Sequence, residues 1–306
     1  MNAFALSIPL PWTDRSGRLS LFKLACFVLT LLPGAYVLGQ ALTGNLGERP
    51  IDSALLQTGL WIVRFLMLTL AITPLRRVLQ MPKLLTVRRM FGVTTAAYAV
   101  LHFSLYSVQQ NLAPVHIVSE IIFRFYLTIG FLALTGLIAL GVTSTDSAIK
   151  RMGAKAWNRL HMLVYPIAML GLVHFVLQSK RDVSQAFTFM GIFVLLMAAR
   201  KLDKKGTATI VQLTLLALGA GLVTMLGEAL WYHLHSGIPM LRILSANINW
   251  AIFPRPGHWV FAAGMVLALA RYWKPAPVKR IRAAVPNTAL LPQSLLDINA
   301  GNADGP

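Results

Sequence analysis

The chain has 306 residues, of which 56% are hydrophobic and only 12% are charged, and this composition excludes an ordinary soluble domain. It is typical of an integral membrane protein. The formal net charge of +18 at pH 7 does not indicate nucleic-acid binding, because the Lys and Arg residues fall in short blocks between apolar runs. The single cysteine, Cys26, excludes an intrachain disulfide, a Cys-ligated zinc site and an iron-sulfur cluster.

Eight apolar segments meet or approach the roughly 20 residues that a spanning helix needs. They predict an all-α, polytopic transmembrane bundle of about eight helices, in which the sixth segment is the shortest. The segments are residues 20–42, 54–75, 90–107, 121–143, 157–177, 183–199, 208–232 and 258–273.

Basic residues alternate between the connections and set the predicted orientation. They cluster before the first segment and after the second, fourth, sixth and eighth. Because short cytoplasmic loops carry an excess of Lys and Arg, both termini are predicted to be cytoplasmic. Lys180 and Arg181 weaken the pattern, since they fall in an outer connection. Residues 276–306 are polar, without a pattern that could bury a core, and are predicted to form a disordered cytoplasmic tail.

Two of the predicted helices carry histidines at depths where hydrocarbon is expected. The fifth segment contains His161 and His174, and the third contains His102. His102 follows Arg89 by 13 positions, roughly 20 Å along a helix, which places it deep in the membrane. Segments three and five are predicted to run in the same direction, so they can present imidazoles to a plate held between them. Ionisable side chains at such depth usually face a bundle interior or a cofactor.

Haem iron is the metal that these imidazoles are predicted to bind. Desolvation keeps a buried imidazole neutral, so it offers a lone pair to a metal. Two imidazoles fill both axial positions of haem iron, which favours electron transfer. His161 and His174 are 13 positions apart, roughly 20 Å along a helix, so at most one of them can share a haem with His102. The alternative is that these histidines only pack helices together through hydrogen bonds.

Arg64 lies close to the middle of the second segment and needs an anionic partner there. A haem propionate would serve, and this possibility makes Arg64 a candidate cofactor-binding residue. The alternative is a buried ion pair with Glu228 of the seventh segment, without any cofactor. His116 is separated from the third segment by Pro114 and is expected in a loop.

A family resemblance rests on four runs of the chain: TGLWIVRFLMLTLAITPLRR, RRMFGVTTAAYAVLHFSLY, FRFYLTIGFLALTGLIALGVTS and WNRLHMLVYPIAMLGLVH. In their order and spacing they resemble the MsrQ or YedZ family, the haem-binding membrane subunit of the periplasmic methionine sulfoxide reductase system. That family belongs to the ferric reductase-like transmembrane superfamily. Its haem-associated histidines map onto His102, His161 and His174.

The resemblance implies an electron-transfer subunit of an oxidoreductase system in the bacterial inner membrane. Such a subunit binds haem b, takes electrons from the quinone pool and hands them to a periplasmic molybdopterin reductase that repairs oxidised methionines. FMN is sometimes associated with the family, but no residue here can be assigned to it. Contact with membrane lipid is expected, and contact with nucleic acid is not.

The predicted organisation has four parts. An N-terminal part with the first helix spans residues 1–52, and a ferric reductase-like haem-binding core spans 53–205. Additional transmembrane helices occupy 206–275, beyond the point where family members usually end, and the tail occupies 276–306.

Two other functions are compatible with the sequence. The first is a ferric or oxygen-reducing transmembrane haem protein that is fed by a separate flavin dehydrogenase. The second belongs to another class, a cofactor-free transporter or assembly factor that uses Arg64 and Glu228 as a buried charge pair.

Overall fold

The computed structural model describes residues 10–272, with the exception of 15, 181 and 205. Within these residues the chain forms twelve α-helices, joined by short turns and three 3₁₀ turns. The predicted tail, residues 276–306, lies outside the described part. The helices are α1 (Leu21–Leu42), α2 (Pro50–Val78), α3 (Leu85–Gln109), α4 (Pro114–Phe123), α5 (Phe125–Val142), α6 (Asp146–Met152), α7 (Ala154–His161), α8 (Val164–Gln178), α9 (Ser184–Leu202), α10 (Ile210–Ser236), α11 (Met240–Ala246) and α12 (Pro256–Leu269).

Seven helical stretches of the described chain are long and apolar enough to cross a membrane. They are α1, α2, α3 with the turn before it, α5, α7 together with α8, α9 and α10. The prediction of an all-α bundle is therefore confirmed. The eighth predicted segment is shorter than expected, because α12 has 14 residues and then passes into a 3₁₀ turn, Ala270–Tyr272.

The fifth predicted segment is one apolar stretch, Ala154–Gln178, as predicted, but its helix is interrupted. Met162 and Leu163 form a turn between α7 and α8. Pro166 explains the break, since proline has no backbone N–H and its ring crowds the carbonyl four residues earlier, which belongs to Met162. The break leaves His161 at the end of α7 and His174 in α8.

The fourth predicted segment is also divided. Arg124 has an extended backbone, with φ −109° and ψ 101°, and separates α4 from α5. Pro114 lies in the first turn of α4, where its missing N–H costs nothing. His116 is consequently on a short apolar helix, and not in the loop that Pro114 had suggested.

Four helices, α2, α3, α5 and α8, enclose a central space. In this ring α2 packs on α3, α3 on α5, α5 on α8, and α8 on α2. Gln109, at the end of α3, donates a hydrogen bond to Asp52 at the start of α2, so these two helices are antiparallel. Two contacts in reverse order, Gly141 with Ala96 and Phe131 with Phe103, show the same for α3 and α5. For α5 and α8 the two contacts are Gly136 with Ile167 and Gly130 with His174. It follows that α3 and α8 run in the same direction, as predicted.

The C-terminal helices pack on the other side of α9. There α10 and α12 contact both α9 and each other. The N-terminus of α10 is fixed by a capping box between Thr209 and Gln212. Its C-terminus ends at Gly237, which adopts the left-handed conformation, φ 64°, that glycine accepts without strain.

Close approach of α9, α10 and α12 depends on Gly191. A Cβ added there would lie 2.2 Å from Thr224 Oγ1 and 2.5 Å from Val260 Cγ2. Gly219 of α10, in contrast, is exposed and would have nothing within 4 Å of an added Cβ. The two glycines thus differ in packing while sharing a helical backbone.

We expect Gly191→Ala to destabilise the protein and Gly219→Ala to preserve or raise its stability. Overpacking costs about 1–3 kcal/mol, whereas Gly→Ala in a helix otherwise gains up to about 1 kcal/mol. Thermal unfolding of the purified protein in detergent measures both variants. Equal unfolding temperatures for the two would contradict the tight α9–α10–α12 contact.

Candidate functional site

A cavity of about 340 Å³ lies inside the ring of α2, α3, α5 and α8. The end of the cavity near the C-termini of α3 and α8 is called the upper end, and the opposite end is called the lower end. Most of its wall is apolar, which suits a flat hydrophobic ligand better than a hydrated ion. The residues that line the lower end are Val63, Leu66, Ala99, Ala133, Leu134, Leu137 and Ile167.

His102 enters the cavity from α3 and is held by α2. Its Nδ1 lies 3.1 Å from the carbonyl oxygen of Leu55 and 3.3 Å from Oγ1 of Thr58. A carbonyl can only accept a hydrogen bond, so this network assigns the proton to Nδ1 and the lone pair to Nε2. Gly59 makes room for the ring, since a Cβ there would be 3.1 Å from Cε1 of His102.

His174 repeats this arrangement on the other side of the cavity. It comes from α8, and its Nδ1 lies 2.8 Å from the carbonyl oxygen of Tyr126 in α5. A Cβ on Gly130 would lie 2.7 Å from both Cε1 and Nδ1 of this imidazole. In each case an antiparallel neighbour supplies one carbonyl to fix the ring and one glycine to admit it.

The two imidazoles lie at the same depth. Phe131, next to the glycine that contacts His174, packs on Phe103, next to His102, with ring centroids 5.9 Å apart. Both imidazoles therefore line one apolar cavity at one depth, each with its Nδ1 directed at a backbone carbonyl.

His161 does not line this cavity. Its Nε2 lies 3.3 Å from Oγ of Ser144, its Nδ1 lies 3.2 Å from the carbonyl oxygen of Trp157, and its ring stacks on Trp157 at 3.8 Å. Ser144 follows Gly130 by 14 positions on the antiparallel side, so His161 and His174 are at different depths, as predicted.

Arg64 does not line the cavity either. Its guanidinium carbon lies 4.5 Å from the centroid of the Trp61 ring, an arrangement that stabilises a cation on an aromatic face. Among the described residues, no carboxylate forms a salt bridge with it. The cofactor-binding roles that the sequence suggested for Arg64 and His161 stay predictions.

Glu228 pairs with Arg255, and the alternative pairing with Arg64 was wrong. Glu228 is fully buried in α10, and its Oε1 lies 2.7 Å from Nη2 of Arg255 at the start of α12. Ser184 of α9 approaches the same oxygen at 3.4 Å. The pair belongs to the junction of α9, α10 and α12, away from the cavity.

Asp182 precedes this junction, in the connection between α8 and α9. The hydroxyl and backbone N–H of Ser184 both donate hydrogen bonds to the Asp182 carboxylate and hold its pKa below the ordinary value, and Arg255 adds a favourable charge. Asp182 is therefore ionised beside the Glu228–Arg255 pair.

No group of three or more His, Cys, Asp or Glu side chains in the described ranges could hold a bare metal ion. Two imidazoles are too few for such an ion, but they suffice for a metal that a macrocycle already holds in its plane. The two free Nε2 atoms, the apolar walls and the antiparallel glycines fit a haem.

Sequence reasoning missed the roles of several residues in this site. The carbonyls of Leu55 and Tyr126 carry no signal in the sequence, since any residue provides one. Gly59 and Gly130 were visible as helix glycines, but the ring that each one admits depends on the packing. The role of Arg255 was not predicted, because this residue lies in a connection, one position before α12, and its partner is on another helix.

Comparison with known proteins places this site in a family context. Residues 58–172 match the family described as "Ferric reductase like transmembrane component". The chain is similar to the "Protein-methionine-sulfoxide reductase heme-binding subunit MsrQ" of Herminiimonas arsenicoxydans, with 39% identity over 60% of this chain and 85% of the relative. The relatives with the same name in Caulobacter vibrioides (38% identity, 61% and 87%) and Rhodospirillum rubrum (39%, 61% and 88%) are comparable. No solved structure matches the chain.

These matches and the seven apolar helices make the chain a multi-pass membrane protein. The match of residues 58–172 includes His102, whereas His174 lies two positions beyond its end. The Glu228–Arg255 pair lies wholly outside the match.

We expect Arg255→Ala to lower the free energy of unfolding by about 3 kcal/mol, because it leaves the Glu228 carboxylate buried without its partner. The double variant Arg255→Met/Glu228→Met should lose less, since neither charge is then buried. Arg89→Ala serves as the control. Arg89 pairs with Asp146, and both side chains are about half exposed, so the loss should be at most about 1 kcal/mol.

Equilibrium unfolding in mixed micelles with increasing SDS measures these variants. Equal losses for Arg255→Ala and Arg89→Ala would contradict a buried structural role for the Glu228–Arg255 pair.

Proposed function

The chain belongs to the MsrQ family of protein-methionine-sulfoxide reductase heme-binding subunits, and we propose that it is a b-type haem subunit for electron transfer in which His102 and His174 would hold the haem. In this proposal it takes electrons from the quinone pool and delivers them to a periplasmic molybdopterin enzyme. That partner reduces methionine sulfoxide in oxidised proteins. The observation that carries the proposal is the pair of imidazoles that line one apolar cavity from two parallel helices.

The chain contributes ligand orientation. The Nδ1–H of each imidazole donates a hydrogen bond to a backbone carbonyl, and this hydrogen bond fixes both the tautomer and the plane of the ring. The Nε2 lone pair of each ring is then available to a metal without any proton transfer. Haem, when bound, would be held by His102 and His174 and would supply one-electron chemistry.

The apolar walls contribute a second property. Leu66, Leu134 and Leu137 at the lower end keep water away from the ligand, and a low dielectric strengthens every remaining electrostatic interaction there. The packing of α2, α3, α5 and α8 around the cavity would hold these side chains in place.

Orientation in the membrane completes the proposal. The protein lies in the bacterial inner membrane with both termini in the cytoplasm, which is supported by the basic connections after α2, α5 and α9. The upper end of the cavity then faces the periplasm, where the soluble enzyme docks. Quinol is oxidised from the membrane, and FMN, which is associated with the family, has no assigned residue in this proposal.

Replacement of the axial ligands tests the haem site. We expect the wild-type chain to show the visible spectrum of six-coordinate b-type haem after reduction with dithionite. His102→Gly and His174→Gly should each lose most of the bound haem or leave it five-coordinate, because one axial ligand is missing. Added imidazole should restore the six-coordinate spectrum, since it can occupy the space that the side chain left.

His116→Gly is the matched control, because His116 is exposed on α4 and does not line the cavity. Unchanged spectra in both His102→Gly and His174→Gly would remove these residues from the site. A colourless wild-type protein, produced with ample haem, would exclude the haem function itself.

Electron donor and acceptor can be tested in proteoliposomes. We expect a reduced quinol analogue to reduce the haem, and addition of a molybdopterin methionine sulfoxide reductase with methionine sulfoxide to reoxidise it. The absorbance of the reduced α-band follows both steps. Reduction by NADH with a flavin dehydrogenase, but not by quinol, would instead favour a ferric or oxygen reductase fed from the cytoplasm.

A further inference from the structure

The polar residues of the cavity wall, apart from the two imidazoles, are all at its upper end. They are Asp52, Tyr106, Gln109, Gln178 and Lys180. The lower end offers no hydrogen-bond donor or positive charge from its lining side chains. If a ligand placed a charged edge at the lower end, its charged groups would lose their hydration and find no hydrogen-bond partner there.

Tyr106 is the most informative of these residues. It follows His102 by four positions on α3, so both side chains lie on the same face of the helix, one turn apart. Its hydroxyl is buried and has no hydrogen-bond partner in the described part of the chain. Buried hydroxyls are normally paired, and one left unpaired costs free energy, so this donor lacks an explanation from the protein alone.

The other imidazole has a similar neighbour. Gln178 follows His174 by four positions on α8, and Lys180 lies two positions further. All three line the cavity. One helical turn closer to the upper end than each histidine there is thus a side chain that can donate a hydrogen bond. Near Gln178, Lys180 adds a positive charge.

We propose that the two carboxylate groups of the haem lie at the upper end of the cavity, where the Tyr106 hydroxyl, the Gln178 amide and the Lys180 ammonium bind them. This inference rests on the proposed function, since it requires haem to be the ligand. It assigns to these three residues a positioning role, which fixes the rotation of the macrocycle about the axis through the two imidazoles.

The acidic groups near the upper end do not oppose this assignment. Asp52 already accepts a hydrogen bond from Gln109 and lies 3.9 Å from Arg49. Glu120 is paired with Arg124 at 2.7 Å. Both carboxylates are therefore compensated by other partners, and Tyr106 and Lys180 are left for a ligand.

A comparison of haem with its dimethyl ester tests the proposal. The 306-residue chain is expressed under haem-limiting conditions, so that most of the purified protein has no haem. In detergent it is then titrated with ferric haem b or with the diester, and the absorbance spectrum reports six-coordinate binding. The diester has the same ring and metal but lacks the two carboxylate charges. We expect the wild type to bind the acid about tenfold or more tightly than the diester, since bonds to charged groups are the stronger ones.

In Tyr106→Phe and Lys180→Gln this preference should fall severalfold while the six-coordinate spectrum is kept, which also shows that the variants fold. Tyr36→Phe and Lys155→Gln are matched controls, because neither residue lines the cavity, and their preference should equal that of the wild type. Equal binding of acid and diester by the wild type, or an undiminished preference in both variants, would overturn the proposed orientation. If the wild type binds neither compound, the haem function itself fails.

Discussion

In each cavity histidine the Nδ1–H donates a hydrogen bond to a backbone carbonyl of the antiparallel helix beside it, and the site depends on these two hydrogen bonds. One bond joins α3 to α2 and the other joins α8 to α5. The bond selects the tautomer in which Nε2 has a free lone pair, and it holds the ring at a fixed angle. Gly130 is required for the close approach that the bond needs, since a Cβ there would lie 2.7 Å from the His174 ring, and Gly59 eases it, since a Cβ there would lie 3.1 Å from the His102 ring. Ring orientation is thereby built into the packing of the helices and not left to the side chain.

The connection between α8 and α9 links this site to the C-terminal helices. Lys180, at the beginning of the connection, lines the cavity, and Ser184, just beyond it, approaches Glu228 of α10. Arg255 of α12 completes this group through its ion pair with Glu228. A buried ion pair contributes little net stability but is costly to break, so it specifies one arrangement of α10 and α12 on α9. The rim of the cavity and the position of the added helices consequently depend on the same short connection.

How far the sequence predicts the site can be judged from its four candidate residues. His102 and His174 lie in one cavity on parallel helices. Depth and helix order had predicted the parallel helices but had left either His161 or His174 as the partner of His102. His161 has the same residue type, the same predicted helix and a similar apolar setting, but it lies about four turns away from His174 and bonds to Ser144 and Trp157. Arg64 was placed correctly in the middle of α2, yet its neighbour is the Trp61 ring. Nothing in the order of residues tells which side of a fully apolar helix meets the cavity, because the hydrophobic pattern that usually marks the buried face is absent.

The sequence by itself determined that the chain is a helical membrane protein and where most of its helices lie. It also determined that histidines occur within apolar spanning segments, where a hydrophobic side chain would cost less free energy. These properties follow from local composition, since a span needs only enough consecutive apolar residues to cover the bilayer. Only the tertiary structure decided which two histidines share a cavity, that Glu228 pairs with Arg255, and that polar groups line one end of the cavity alone. Those facts depend on which helix faces are in contact. In a membrane, that choice is made by small residues and individual hydrogen bonds between helices, and it leaves little periodic trace in the sequence.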